Sequence, residues 1–225
     1  ISYLIQRLYN EFKSELKRND LKLYILTGSF KLNRPLLEIA QQMNVSIFFG
    51  DDANIPKRML EFLENEEKDF LISVDGDDIL CAPEGIRSIY QLLSNGSAFC
   101  KTINYPFGMN SSGYSKPFLT NSLKKIDSSK SLETGWGWIF DEKKCEIVDS
   151  KLKNNNKLRF TLDYPEDLSF FKKIITSDLN IYNTSTKEII NFFIEENIFL
   201  KNENRNKEYW DNFNYEQSLE IKGVN

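Results

Sequence analysis

The hydrophobic residues of this chain fall into alternating helix-like and strand-like segments. An amphipathic helix is predicted at the start, where one face carries Ile1, Leu4, Ile5, Leu8, Tyr9 and Phe12. Short apolar runs predict strands at 21–26, 45–49, 70–74 and 97–101. Helical spacing predicts helices at 35–42, from Pro56 to about residue 66, and at 83–93. This alternation predicts an α/β fold with a mostly parallel sheet and helices on both faces.

The second half of the chain departs from this regular alternation. Residues 102–156 are rich in glycine and serine, which favours short strands and an excursion over the sheet, with a helix at about 117–125 and a solvated loop at 150–157. A strand at 158–162 and helices at 165–176 and 185–196 are predicted to follow. We therefore expect one domain over 1–182, with 183–225 forming a C-terminal helix and a charged tail that pack on it.

Composition and charge exclude several classes of function. The chain has 225 residues, 40% of them hydrophobic and 13% aromatic, which suits a globular protein. Its net charge of −4 provides no basic surface, so a nucleic-acid partner is not expected. The absence of histidine excludes His-based catalysis and His-ligated zinc. The widely spaced Cys81, Cys100 and Cys145, and the lack of a membrane-length apolar run, predict reduced thiols in a cytoplasmic protein without a membrane partner.

Acidic residues follow two of the predicted strands. The first group, Asp75-Gly76-Asp77-Asp78, comes directly after the 70–74 strand, and its glycine allows a sharp turn. Ligands of parallel sheets bind outside the carboxyl ends of the strands, where Thr27-Gly28-Ser29 also falls. Carboxylates at such an edge can hold Mg²⁺, which bridges phosphate oxygens. The alternative is a polar turn that caps a buried strand, since Asp and Gly are favoured in turns.

The second acidic group begins where the 158–162 strand ends. Asp163 precedes the helix and is the better ligand for a shared metal, although a structural role stays open. For Glu166 and Asp167 we favour a structural role, because Pro165 and acidic side chains suit a helix N-terminus and its dipole. Together, the two groups indicate nucleotidyl transfer assisted by a divalent metal.

Four more residues are candidates for substrate binding. Lys57 and Arg58 lie in the first turn of their helix, where basic side chains are unusual and indicate an anionic ligand. Trp136 lies between two glycines, a setting found at ligand cavities, and Glu133 nearby would bind a substrate hydroxyl. The alternative for the charged residues is simple solvent exposure, and for Trp136 a role as a core anchor.

Six blocks of the sequence, taken together, resemble the sequence pattern of one protein family. They are residues 3–8, 38–50, 56–58, 74–78, 133–137 and 158–168. In these blocks the chain resembles the cytidylyltransferase family that includes spore coat polysaccharide biosynthesis proteins, which is related to the synthetases of CMP-activated acidic sugars. The last block is the most specific, because a strand, an Asp, a Pro and an acidic helix start arrive in the family's order.

The resemblance implies a nucleotide-diphospho-sugar transferase fold of the GT-A-like kind and a cytoplasmic enzyme. Its reaction would join CTP to a sugar or sugar-acid oxygen for surface polysaccharide biosynthesis, with Mg²⁺ as cofactor and pyrophosphate as product. By similarity, Asp77 and Asp163 match the metal-binding, catalytic carboxylates, and Arg58 matches a basic residue near the substrate that we assign to catalysis. Thr27, Gly28 and Ser29 match a loop near the nucleotide, and the block with Glu133 and Trp136 would line the sugar side. We also assign Asp75 to nucleotide binding and Lys57 to substrate binding. Relatives are often dimers, so a homodimer is a further expectation.

The chain departs from the family pattern at its start. The family begins with a strand and a Gly-containing loop with Arg and Lys that hold the triphosphate, whereas this sequence opens at the following helix. We therefore expect an N-terminally truncated domain, a gap in the sheet, and weak or absent activity for these 225 residues alone. Two alternatives stay open: a glycosyltransferase, because Asp75-Gly76-Asp77 fits an Asp-x-Asp motif, and a non-catalytic nucleotide-binding relative.

Overall fold

Ten α-helices, six strands and three short 3₁₀ helices (Trp136–Ile139, Glu142–Lys144 and Ile198–Lys201) form the regular structure of residues 1–127, 130–152 and 157–223, the part of the chain that this computed structural model describes. The helices are α1 (Ser2–Glu11), α2 (Lys13–Arg18), α3 (Phe30–Asn33), α4 (Pro35–Met43), α5 (Ile55–Asn65), α6 (Pro83–Ser94), α7 (Lys116–Leu123), α8 (Pro165–Ile175), α9 (Thr186–Glu195) and α10 (Arg205–Lys222). The strands are β1 (Tyr24–Thr27), β2 (Ser46–Phe49), β3 (Phe70–Ser73), β4 (Phe99–Ile103), β5 (Ser112–Ser115) and β6 (Cys145–Asp149).

Local sequence signals begin and end many of these helices. Proline occupies the first turn of α4, α5, α6, α7 and α8, where its missing N–H is harmless. Asn54 caps α5 by accepting the N–H of Lys57 at 2.9 Å. α4 ends at Asn44, whose left-handed φ of 51° stops the helix. The helices predicted at 35–42, 83–93 and 185–196 are confirmed with ends shifted by a residue or so.

The strands form two sheets. β1 and β2 pair in parallel, with Ile25 opposite Ile47. The second sheet has the order β3–β5–β4–β6, in which β5 runs antiparallel to both neighbours while β4 and β6 are parallel. The predicted α/β class is confirmed, but the sheet is mixed rather than mostly parallel. The reason is the short connection at 104–111 between β4 and β5, since a parallel pair needs a longer crossover.

A groove separates the two sheets. It is lined by β1 on one side and β3 on the other, and its volume is about 500 Å³. Helices α1 and α5 add apolar side chains to its walls, including Leu4, Leu8, Met59 and Phe62. Within the described ranges, β1 has only β2 as a ladder partner and β3 has only β5. Each of the two strands therefore has one edge free of strand pairing.

The strand predicted at 158–162 is wrong. These residues form one isolated bridge, between Phe107 and Arg159, in which the Phe160 N–H donates to the Phe107 carbonyl at 2.8 Å. Leu158, Arg159 and Phe160 are each at most 1% exposed, so the segment is buried on all sides. The apolar run at 158–162 is therefore a buried irregular segment rather than a sheet strand. Hydrophobic periodicity alone does not distinguish the two.

The remaining second-half predictions have mixed outcomes. The helix predicted at about 117–125 is confirmed as α7, and the helix at 165–176 as α8. The segment predicted as a charged tail contains the 18-residue helix α10. Half of the loop predicted at 150–157 lies outside the described residues, because 153–156 are not among them.

Aromatic side chains dominate the interior beneath the second half of the chain. Phe160, Phe170 and Phe193 are fully buried, and the rings of Phe170 and Phe193 stack at 4.1 Å between centroids. The cysteines are free thiols, two of them buried, as predicted. Over the described ranges, no helix combines the length and apolar character that crossing a bilayer requires.

Candidate functional site

Four carboxylates gather beyond the carboxyl end of β3. We call Asp75, Asp77, Asp78 and Asp163 the acidic cluster. The chain turns sharply after β3, with the Asp78 N–H donating to the Asp75 carbonyl at 3.1 Å and the Ile79 N–H to the Asp77 carbonyl at 3.0 Å. Asp163 joins from the segment before α8, close enough to interact electrostatically with Asp77. The structure thus brings together the two acidic groups that the sequence places far apart.

Burial and mutual repulsion disfavour negative charge in the acidic cluster. Desolvation, followed by the charges of Asp75 and Asp77, raises the pKa of Asp78 to about 8. Desolvation also raises the pKa of Asp75 and of Asp163, and the charge of Asp77 adds to both effects. Asp75 and Asp163 contact solvent, which weakens the repulsion there. A cation at this position would therefore be stabilised.

A buried arginine positions Asp163. Arg159 is fully buried; its Nη2 donates to the Asp163 carboxylate and its Nε donates to Asp167 at 3.0 Å. The other oxygen of Asp167 accepts the N–H of Asp163 at 3.0 Å and that of Tyr164 at 2.9 Å. Glu166 forms a partly exposed ion pair with an arginine of α10. These contacts support the structural interpretation of Glu166 and Asp167.

The donor chemistry of the acidic cluster fits Mg²⁺. Hard divalent cations take oxygen ligands, and a positive ion would relieve the repulsion that, after desolvation, contributes to the raised pKa of Asp78. The side chains are not arranged as a complete metal site, because no three acidic or cysteine residues of the described ranges lie close enough together to bind one ion. Asp77 and Asp163 are the ligands assigned from the sequence, and the buried Asp78 beside them is a further candidate.

The second half of the site forms around the start of α5. The Leu132 N–H donates to the Ala53 carbonyl at 2.7 Å, and the Ile55 N–H donates to the Leu132 carbonyl at 3.1 Å. This pairing carries the following residue, Glu133, to the first turn of α5, where its charge interacts with Arg58. Two residues that are 75 positions apart in the sequence (133 minus 58) thus become neighbours.

Arg58 is half-buried among acidic side chains. Desolvation lowers the pKa of its guanidinium, and the charges of Asp51, Asp52 and Glu133 oppose that effect. Its Nε is buried and has no hydrogen-bond partner in the described part of the chain. Lys57, by contrast, pairs with Asp51 at 2.5 Å. Arg58 is therefore better placed than Lys57 to bind an anionic ligand.

The Thr27-Gly28-Ser29 loop is tied to the acidic loop after β2. The Ser29 N–H donates to the Asp52 carboxylate at 2.5 Å, and the Gly50 N–H donates to the Thr27 carbonyl at 3.0 Å. Gly28 lies so close to Asp52 that a Cβ at this position would collide with it. This loop therefore belongs to the Arg58 half of the site.

Trp136 packs against the hydrophobic interior. Its ring centroid lies 5.7 Å from that of Phe140 and 6.0 Å from that of Tyr114. The residue is only partly buried. The contacts favour the core-anchor interpretation, and the exposed part of the residue is available to border a ligand.

The groove between β1 and β3 connects the two halves of the site. Arg58 and Asp75 both line it, as does Gly76. A ligand that enters the groove would therefore meet a basic side chain of one half and a carboxylate of the other.

Tyr209 of α10 is a neighbour of the acidic cluster that the sequence did not indicate. Desolvation raises the pKa of its phenol to about 12, and the charges of Asp163, Asp77 and Asp78 contribute to the rise. Its ring centroid lies 4.7 Å from the guanidinium carbon of Arg159. Tyr209, Trp210 and Phe213 lie close together in the segment interpreted as a charged tail, and the helical spacing of Tyr209 and Phe213 is the signal that could have indicated a packed helix.

Comparison with known proteins defines the fold. No family model and no curated protein matches the sequence. Among solved structures, a cytidylyltransferase from Leptospira borgpetersenii serovar Hardjo-bovis (strain JB197) matches with a TM-score of 0.75 at 20% identity, over 89% of this chain and 86% of that one. A 4-diphosphocytidyl-2C-methyl-D-erythritol synthase from Anaerococcus prevotii DSM 20548 matches with a TM-score of 0.53 at 13% identity, over 77% and 89% respectively. The chain therefore shares its fold with these two proteins.

Proposed function

We propose that this protein is a Mg²⁺-dependent nucleotidyltransferase that uses CTP to activate a sugar or an acidic sugar. The observation that carries the proposal is the acidic cluster, in which carboxylates from two distant parts of the chain meet beyond β3. Their mutual repulsion favours a bound divalent cation. The fold adds support, because a cytidylyltransferase is among the structures that share it.

In the proposed reaction, an oxygen of the sugar attacks the α-phosphorus of CTP. A P–O bond to the sugar forms as the attacking hydroxyl releases its proton to solvent, the bond from the α-phosphorus to the bridging oxygen breaks, and pyrophosphate leaves. Mg²⁺, held by Asp77 and Asp163, would neutralise charge on the phosphates. Arg58 would bind an anionic group of the substrates and Glu133 a sugar hydroxyl. Positioning and electrostatics suffice for this reaction, so a chain without histidine can perform it.

The groove between β1 and β3 suggests where the rest of the nucleotide site lies. The resemblance implies a strand followed by a Gly-containing loop with Arg and Lys, and the groove between β1 and β3 is where such a strand would fit. The apolar walls of the groove support this placement. A strand that is covered on both faces carries apolar side chains, and these would pack against such walls. Its loop would then emerge beside Asp75 and Arg58.

Two assays run side by side test the proposal. One measures pyrophosphate released from CTP in the presence of a panel of sugars and sugar acids; the other measures nucleoside diphosphate released from nucleotide-sugars. Both use the 225-residue chain and a version extended upstream. Mg²⁺-dependent pyrophosphate release, stronger in the extended protein, supports the proposal. Nucleoside diphosphate release alone would instead favour a glycosyltransferase that uses Asp75-Gly76-Asp77.

The biological setting is part of the same proposal. A role in surface polysaccharide biosynthesis, a cytoplasmic location and a homodimeric state follow from the family resemblance. If neither assay gives turnover but CTP binds, the non-catalytic nucleotide-binding relative becomes the better description.

A further inference from the structure

Helix α10 contacts both halves of the candidate site. In its second turn, Tyr209 lies over Arg159, beside Asp163 of the acidic cluster. In its last turn, Glu220 contacts the main chain at Glu133, next to Arg58. The two α10 residues are eleven positions apart (220 minus 209), roughly 16 Å along the helix axis. One helix therefore bridges the acidic cluster and the Arg58 half.

Glu220 makes the closest contact at the far end of α10. Its side chain belongs to a residue only 4% exposed, and its Oε1 accepts the N–H of Glu133 at 2.7 Å and that of Thr134 at 2.6 Å. Its Oε2 is buried and finds no hydrogen-bond partner in the described ranges. A buried carboxylate destabilises a protein unless it is hydrogen-bonded, so packing alone would favour an apolar residue. What Glu220 adds is its hold on two main-chain amides.

Further contacts hold residues 130–135 against α10. Gln217 Nε2 donates to the Gly135 carbonyl at 2.8 Å, and Lys130 Nζ donates to the Ile221 carbonyl at 2.9 Å. Gly135 has a left-handed φ of 62°, and a Cβ added there would meet the Phe213 ring at 2.7 Å. The loop and the helix thus fit together with no room for a side chain at Gly135.

We propose that α10 positions the substrate-side loop, residues 133–137, and that Glu220 is the positioning residue. By holding the amides of Glu133 and Thr134, Glu220 fixes the backbone from which the Glu133 carboxylate extends beside Arg58. It also fixes the approach to Trp136. The role of this loop toward a sugar rests on the proposed function, but the hold of Glu220 on the loop is measurable without any substrate.

The experiment compares Glu220→Ala and Glu220→Gln with Glu216→Ala, which alters an exposed residue one turn earlier on α10. Amide hydrogen exchange is measured at each residue, and the melting temperature reports global stability. Glu220→Ala is expected to speed exchange at Glu133 and Thr134 by about tenfold or more, because both amides lose their acceptor. Glu220→Gln keeps an acceptor oxygen and is expected to retain most of the protection.

The location of the change decides between a positioning role and a merely structural one. Faster exchange confined to 133–137 in Glu220→Ala supports the proposal. Equal exchange in Glu220→Ala and Glu216→Ala, or an increase spread evenly over the whole chain, overturns it.

A kinetic arm uses the upstream-extended protein. Glu220→Ala is expected to raise the KM for the sugar several-fold while the KM for CTP stays near its original value, and an unchanged sugar KM would overturn the positioning role. If the unaltered protein itself has no response to CTP, that result counts against the proposed function, and the exchange data alone decide the role of Glu220.

Discussion

Arg159 and Asp167 form an ion pair in which both side chains are fully shielded from solvent, with the Arg159 Nε 3.0 Å from the Asp167 Oδ1. Asn202 donates to the same oxygen at 2.8 Å, and the Tyr209 ring covers the guanidinium. Because Arg159 also binds Asp163, the pair anchors one member of the acidic cluster to the start of α8. A structural contact thus sets the position of a candidate metal ligand.

The first prediction concerns the stability that this pair provides. Asp167→Asn leaves the Arg159 charge buried without its full partner, so we expect it to lower the free energy of unfolding by about 3 kcal/mol. Glu166→Gln is the matched control, because its ion pair with Arg205 is about one-third exposed and solvent screening should make its contribution much smaller than that of the buried pair. Urea unfolding of both variants measures the difference. Equal losses would mean that the buried pair is no more important than the surface pair.

The second prediction is a loss of stability with rising pH. The pKa of Asp78 is about 8 in the folded protein and about 4 in an unfolded chain. Between these values the folded state keeps a proton that the unfolded state has lost, so this group's stabilising contribution, complete below about pH 4, disappears as the pH rises to about 8. The groups that face Asp78 are Asp75, Asp77 and Asp163, which repel it, and the Thr161 hydroxyl, which donates to it.

Unfolding measured at about pH 6 and at about pH 9 checks this effect. At the higher pH, Asp78→Asn should have a larger free energy of unfolding than the unaltered protein. Its free energy of unfolding should also change much less between the two pH values than that of the unaltered protein. If both proteins lose stability equally as the pH rises, another group is responsible.

The third prediction uses two glycines that flank Trp136. Gly135→Ala should lower stability and loosen the contact with α10, because the residue has a left-handed φ and a Cβ would meet Phe213. Gly137→Ala should be tolerated, since a Cβ there meets nothing within 4 Å. We expect a difference in the free energy of unfolding of more than about 1 kcal/mol between the two variants. Similar melting temperatures for both would contradict the fit between loop and helix.

The fourth prediction concerns the metal. In the upstream-extended protein, Asp77→Asn should reduce Mg²⁺-dependent pyrophosphate release by about 10²-fold or more. Without metal, the melting temperature of Asp77→Asn should stay the same or rise slightly, because the substitution removes one of the negative charges that repel one another in the acidic cluster. Asp178→Asn, in an exposed position beyond the end of α8, is the control and should keep full activity. Undiminished Mg²⁺-dependent turnover in Asp77→Asn would show that the metal assignment is wrong.

The elements with strong local signals were predictable from the sequence. Helices α4, α5, α6 and α8 each have a proline in the first turn and an apolar face, and their predicted positions are confirmed. β5 was not predictable, because its sequence from Ser112 to Ser115 contains no hydrophobic run and the strand is stabilised only by its neighbours. The wrong strand prediction at 158–162 has the opposite cause, because the sequence of a fully buried irregular segment has the same apolar character as that of a buried strand.

Residues of both halves of the candidate site carry signals in the sequence, whereas the contacts that α10 makes with them do not. Asp77 and Asp163 follow recognisable patterns, and a fold that joins the segments after 74 and 162 brings them together. The hydrogen bonds between α10 and the substrate-side loop have no local signal, because they join residues more than 80 positions apart, as from Glu220 to Glu133. A buried glutamate on a polar helix looks like an exposed one until the chain is folded.

The most direct test of the central claim, that this fold binds CTP with a divalent cation, is a thermal-shift panel. CTP, UTP, GTP and ATP are each added with and without Mg²⁺ to the 225-residue chain and to the upstream-extended protein. A ligand that binds only the folded state raises the melting temperature. We predict a rise with CTP that requires Mg²⁺ and is larger in the extended protein. No rise with any nucleotide in either protein would contradict the account.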